Sequence, residues 1–277
     1  MKVSIAIITY NHEQFIKNTI EGILMQETDH SYEIVIGEDN STDSTKEILL
    51  EYKKTYPDKF NLKIRDKNIG MMPNFIDTLK SCTGEYIALC EGDDYWTDPL
   101  KIQKQVDFLD TNPEYHICYH EAQVLENNKL REDTITRKVP NTSTINDIAQ
   151  GNFMHTPTVM LRNNFEIPDW FFKTPLGDWS LYMISIKNKK AKKLADSMAV
   201  YRIHDSSVWS SKSDIKRLQG TINAIDLLTS SKLFDSDIVT ILDNNKMIYK
   251  KDLEYILRKE NKLKTKWKRI KTYFRDR

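Results

Sequence analysis

Apolar residues arrive along this chain in two alternating rhythms. Short continuous runs at Val3 to Thr9, Tyr32 to Gly37, Phe60 to Arg65 and Tyr86 to Cys90 predict strands covered on both faces. Between them apolar positions recur every three or four residues, as in Phe15, Ile16, Ile20, Ile23 and Leu24. That spacing predicts helices over about Glu13 to Met25, from Asp43 or Ser44 to about Thr55, and from near Pro73. Four alternations of strand and helix predict an α/β fold with a mostly parallel central sheet, right-handed crossovers and helices on both faces. Beyond Pro99 the pattern predicts a helix to about Asp110, a strand from about His116 to Leu125 and a mobile polar loop over Arg131 to Ser143. A strand near Thr158 to Leu161, a helix over Asp178 to Lys187 and a strand over Ala191 to Ile203 follow. Strand signals then stop, and Asp214 to Leu228 and Asp237 to Leu257 read as helices. The expected organisation is a sheet domain over 1–210 and a C-terminal helical extension over 211–277.

Composition narrows the classes. With 39% hydrophobic and 29% charged residues and only eight Gly and eight Pro, the chain is folded and globular, neither disordered nor fibrous. No apolar run reaches the roughly 18 residues of a membrane helix, and no signal-peptide pattern opens the sequence, so a cytoplasmic location is expected. Cys82, Cys90 and Cys118 match no metal or disulfide spacing and are expected as reduced core residues. The net charge of +1 hides an asymmetry: Lys262 to Arg277 carries eight basic side chains and one acid, leaving 33 of the 41 basic and 39 of the 40 acidic side chains in the rest. A mildly acidic body does not look like a nucleic-acid binder. In the tail, Leu263, Trp267, Ile270 and Phe274 fall on one stripe among Lys and Arg, the pattern of a helix lying on an anionic membrane surface at the inner face of the plasma membrane. The same stripe would serve a helix packed on its own domain or on a second subunit.

Candidate chemistry concentrates in GEYIALCEGDDYWTDP, residues 84–99, where a buried strand ends in Glu91, Asp93 and Asp94. Acids crowded at the carboxyl end of a buried strand repel one another and lose hydration, so they are tolerated chiefly where a cation or polar ligand offsets the cost. That edge of an open α/β sheet is where ligands bind, and oxygen ligands suit Mg²⁺ or Mn²⁺ better than Zn²⁺. A solvated acidic turn before the next helix is the plainer reading of the same residues.

Five separated segments, IAIITYN, GEDNSTDST, GEYIALCEGDDYW, PLGDW and YRIH, together resemble the family 2 glycosyltransferases, which have the GT-A fold, particularly bacterial members that build surface polysaccharides. The likeness covers about Lys2 to Ser210. It implies nucleotide contacts from Ile8, Tyr10, Asp39, Asn68 and Asp93, with Asp39 on the base, and a Mn²⁺ or Mg²⁺ ion held by Asp94 and His204. Glu91 and Arg202 fall beside that ion, although Glu91 reads equally as an acid facing solvent and Arg202 as the partner of a surface acid. An aspartate acceptor can take the imino proton of uracil or thymine, which favours a UDP- or dTDP-sugar. Asp178 matches the position of the catalytic base, although Gly177-Asp178 stands where the family more often has Glu-Asp, and an Asp at a helix start is also an ordinary cap. Trp179 and Trp170 are candidates for an acceptor face. The resemblance implies metal-dependent, inverting sugar transfer from a nucleotide-sugar to a saccharide or lipid-linked acceptor. A nucleotidylyltransferase or dehydrogenase would show a Gly-rich loop after the first strand, where this chain reads TYNHEQ. The alternative from another class is a non-catalytic nucleotide- or glycan-binding module on the same fold.

Overall fold

The four apolar runs become four neighbouring parallel strands. The computed structural model describes residues 1–186 and 188–275, with side chains described to residue 260. In chain order come β1 (Val3–Thr9), α1 (Ile16–Leu24), β2 (Tyr32–Glu38), α2 (Thr45–Thr55), β3 (Phe60–Ile64), α3 (Met71–Lys80) and β4 (Tyr86–Glu91). Next are β5 (Tyr95–Trp96), α4 (Lys101–Thr111), β6 (Tyr115–Glu126), β7 (Lys129–Glu132), β8 (Thr142–Ser143), α5 (Ile145–Ala149), β9 (Met160–Arg162), α6 (Gly177–Ile186) and β10 (Lys190–Ile203). Helices α7 (Asp214–Ser230) and α8 (Ser236–Arg275) complete the chain.

The sheet runs β3-β2-β1-β4-β9-β6-β10-β5, with β7 paired to β6 and β8 to β10. Strands β1 to β4 are parallel, β9 is antiparallel to both β4 and β6, and β10 is parallel to β6. Ile5, Ile7, Ile34, Ile36, Ala88 and Cys90 of the central strands are at most 1% exposed. Each such aliphatic side chain contributes about 1.5–3 kcal/mol on burial, which explains why these segments read as unbroken apolar runs. Chain order reverses beside β1, because β2 and β3 lie to one side of it and β4 to the other. Register places Thr9 opposite Glu38 and Ile8 opposite Glu91, so β1, β2 and β4 end together at one carboxyl edge. A crevice opens at such a reversal.

Three features differ from the sequence reading. Residues 131–143 are not a free loop: β7 forms a hairpin on β6, Asp133 pairs with His155 at 3.1 Å, and β8 adds to β10. Strand β5 has only two residues and was too short to show a period, and β9, expected near Thr158 to Leu161, is confined to Met160–Arg162. Lys101 is fully buried: its Nζ donates to Gln105 Oε1 at 2.6 Å and lies 4.0 Å above the Trp96 ring, and burial pushes its pKa down to about 7. All three cysteines are buried free thiols, as expected.

The chain forms two compact units, Met1–His204 and Asp205–Arg277. In the second, α7 packs on α8, and Ser213 Oγ caps α7 by accepting from Lys216 N at 3.4 Å. Helix α8 runs well past Leu257, where the sequence reading ended it. The stripe Leu263, Trp267, Ile270 and Phe274 lies outside the described side chains. Among the described residues no helix is long and apolar enough to cross a membrane.

Candidate active site

The carboxyl edge of the sheet supplies the floor of the site. Asp39 follows β2 directly and is 3% exposed; its Oδ1 accepts from Ile69 N at 2.8 Å and its Oδ2 from Gly70 N at 2.9 Å. Gly70 has φ +89°, left-handed backbone that glycine adopts without a Cβ clash, and Asn68 Oδ1 also accepts from its N–H at 3.1 Å. Asp39 thus braces the 68–70 turn, and each of its oxygens keeps a second acceptor site. Ile8 accepts from Gly92 N at 3.1 Å through its carbonyl, and Tyr10 is exposed just past the end of β1.

Glu91, Asp93 and Asp94 lie at the end of β4 with one ligand oxygen each, all within 4.8 Å of one another. Two elements pin the loop that carries them. Thr19 on α1 donates through Oγ1 to the carbonyls of Gly92 and Asp94 at 3.0 and 2.7 Å. Arg202 on β10 donates through Nε to Asp93 O at 2.7 Å and through its backbone N–H to Asp94 Oδ1 at 2.8 Å, while its guanidinium lies 4.8 Å over Phe15 and 5.2 Å over Tyr95. Asp94 Oδ2 is buried and, among the described residues, accepts no hydrogen bond. Burial, then the charges of Asp93 and Glu91, push Asp94 well above the carboxylate range. Burial, then Asp93 and Asp178, push Glu91 up to about 8. Burial alone would raise Asp93 as well, but a hydrogen bond from His204 and the charges of His12 and His204 outweigh it and hold Asp93 low. Orphaned buried oxygen, crowded hard ligands and raised carboxyl groups all fit a divalent cation.

His204, expected as a metal ligand, lies against one of these carboxylates. Its Nε2 is 3.0 Å from Asp93 Oδ2, and its ring packs 4.4 Å from Phe15. It therefore braces Asp93, a member of the three-carboxylate cluster. His12, in the TYNHEQ segment after β1, has its Nε2 3.9 Å from the same Asp93 oxygen, and burial lowers its pKa. A titratable residue immediately past a buried strand was the signal available for it.

Helix α6 supplies a further acid. Asp178 is half-buried at its second residue, and Asn152 Nδ2 donates to Asp178 Oδ2 at 2.7 Å. Burial raises Asp178, opposed by the backbone N–H groups of Trp179 and Asp178, by His155 and by the Asn152 bond. The charge of Asp178 acts on Glu91, and both act on the fully buried Tyr182 one turn along α6, so Asp178 lies within electrostatic reach of the β4 acids. Trp179 is a correction: it is 1% exposed and its Nε1 donates to Ile148 O at 2.8 Å, so it belongs to the core and offers no acceptor face. Trp170 is half-buried and Phe172 is 54% exposed. Gly177 has a packing reason, since a Cβ there would meet Met72 Sδ at 3.0 Å and Phe75 Cδ1 at 3.2 Å. Nothing in the periodicity marked Asn152, whose role depends wholly on the fold.

Residues 4–166, more than half the chain, match the family described as glycosyl transferase family 2. The chain belongs to that family. An uncharacterized protein of Mycobacterium tuberculosis is 37% identical over 214 residues, covering 76% of this chain and 61% of the relative, so the chain spans about three-fifths of that protein's length. Among solved structures, Staphylococcus aureus TarS residues 1–349 in complex with UDP matches with TM-score 0.65 and 17% identity over 87% of this chain and 70% of that one. A mannosyltransferase from Pyrobaculum calidifontis in complex with GDP-Man and Mn²⁺ matches with TM-score 0.62 and 15% identity over 87% of this chain and 68% of that one. At those identities the likeness speaks for the fold, and it agrees with the GT-A architecture.

Proposed function

We propose that this family 2 chain transfers a sugar from a nucleotide-sugar donor, a UDP-sugar by preference, to a hydroxyl of a saccharide or lipid-linked acceptor in polysaccharide biosynthesis, with inversion at the anomeric carbon. The observation that carries the reading is the meeting of acids from two distant elements, Asp178 of α6 acting on Glu91 beside Asp93 and Asp94 of β4. Asp94 would hold Mn²⁺ or Mg²⁺ through its unpartnered Oδ2, with Asp93 and Glu91 beside it and His204 acting through Asp93. Such an ion, when bound, offsets the negative charge of the departing diphosphate. Asp39 accepts the imino proton of the base at its free lone pairs, and Tyr10, Ile8 and Asn68 line the nucleotide side. The preference for UDP is favoured by that acceptor and by UDP in the TarS complex, while the Pyrobaculum neighbour takes GDP-Man.

Asp178 takes the proton of the acceptor hydroxyl as its oxygen attacks the anomeric carbon, and the nucleoside diphosphate leaves from the opposite face. A carboxyl raised by burial lies closer to neutral pH and so is better matched to that proton. The test screens UDP-, dTDP- and GDP-sugars by thermal shift with and without Mn²⁺: the donor should raise Tm only with the ion present. Donor binding should survive Asp178→Asn while transfer falls by about 10²–10⁴-fold. A variant that transfers normally would remove Asp178 from the mechanism, and a screen without any Mn²⁺-dependent shift would remove the nucleotide-sugar reading.

A further inference from the structure

Asp178 is held from a segment that no catalytic reading of the sequence includes. Helix α5 ends at Ala149, and Gly151, at φ +126° where only glycine is comfortable, turns the chain so that Asn152 comes up beside α6. Two sets of contacts hold this turn, one of them from α6. The buried indole of Trp179 donates to Ile148 O at 2.8 Å, tying the last turn of α5 to the residue next to Asp178. Arg137 Nη2 donates to the Asp147 and Gly151 carbonyls, and its guanidinium lies 5.0 Å over the Phe153 ring.

The Asn152 amide has no freedom to flip. Its Oδ1 accepts from Met154 N at 3.0 Å, so its Nδ2 is the end that faces Asp178 Oδ2 at 2.7 Å. The bond is short and charge-assisted, the kind that adds orientation as well as energy. It commits Asp178 Oδ2 to the amide, while the backbone N–H groups of Trp179 and Asp178 also act on the carboxylate. The titratable groups that act on Asp178 or feel its charge are Glu91 on β4, His155 on the segment before β9 and Tyr182 on α6 itself. Asn152 is the neutral donor among them.

We propose that Asn152, on the turn that follows the Trp179-tethered end of α5, is a positioning residue for glycosyl transfer that fixes the orientation of the Asp178 carboxylate. The inference rests on the reading of Asp178 as the base, and its test separates the two. Asn152 is exposed, so its variants keep the fold. Asn152→Ala removes the donor, and Asn152→Asp keeps the shape while facing Asp178 with a second carboxylate.

In the metal-free full chain labelled with ¹³C at aspartate carboxyls, the Asp178 signal is assigned by its loss in Asp178→Asn. Its titration midpoint should rise in Asn152→Ala and further in Asn152→Asp. With Mn²⁺ and UDP-glucose or UDP-GlcNAc, kcat for UDP release should fall about 10–100-fold while the donor KM stays within about twofold. An unmoved midpoint in both variants overturns the positioning role and leaves the base reading intact. Normal turnover by Asp178→Asn overturns the base reading and, with it, the catalytic meaning of Asn152.

Discussion

Asp94 Oδ2, buried with nothing donating to it, sits among acids that disturb one another's protonation. The group most open to measurement there is Glu91, whose pKa rises from 4.5 unfolded to about 8 folded, through burial first and then Asp93 and Asp178. A raised folded pKa means the native state binds the proton more tightly; that stabilisation is complete below 4.5 and is lost as pH climbs through about 8. His12 and His120, both lowered by burial, act in the opposite sense as they deprotonate, so the comparison needs a partner variant that changes only the carboxyl. Glu91→Gln is that variant. In EDTA the wild type should lose stability relative to Glu91→Gln between pH 4.5 and about 8, seen in urea midpoints, and Mn²⁺ should close the gap. Parallel curves would mean that Glu91 is solvated. At this scale the acids themselves were legible in the sequence, because charge following a buried run is conspicuous. Their partners Asn152 and His12 were not, since polar residues in turns carry no period.

Helix α6 shows why an element can be named from sequence and still be misjudged. Its residues from Trp179 to Ile186 are all buried, so it shows no polar stripe, and Trp179 looked free to meet a sugar when it is in fact bonded to α5. Its first residue, Gly177, is set by contact with α3 through Met72 and Phe75. Restoring the family's commoner acid as Gly177→Glu should therefore cost about 1–3 kcal/mol of stability through overpacking, read as a lower urea midpoint with unchanged slope. An unchanged midpoint would show that Met72 yields freely and that packing is not what excludes a side chain there. The 131–143 segment makes the complementary point. Its polarity suggested a mobile loop, but hydrogen bonds along β7 and β8 and the Asp133–His155 pair hold it, and such bonds do not require apolar residues.

For the molecule as a whole, charge and periodicity make a prediction about residues 262–277 that their sequence carries unaided. The chain should sediment with vesicles containing phosphatidylglycerol and remain in the supernatant when those sixteen residues are deleted. Equal sedimentation of both would assign the stripe to protein packing. Taken alone, the sequence determined the parallel order of strand and helix, the buried strands and the acids at the end of β4, because burial on both faces and helical spacing are written locally in residue type. Only the tertiary structure decided that Asp178 acts on Glu91, that His204 serves Asp93, that Trp179 belongs to the core and that Asn152 holds the carboxylate of Asp178. Those pairings span tens to more than a hundred residues of chain, and a distance closed by packing leaves no trace in the spacing of the residues it joins.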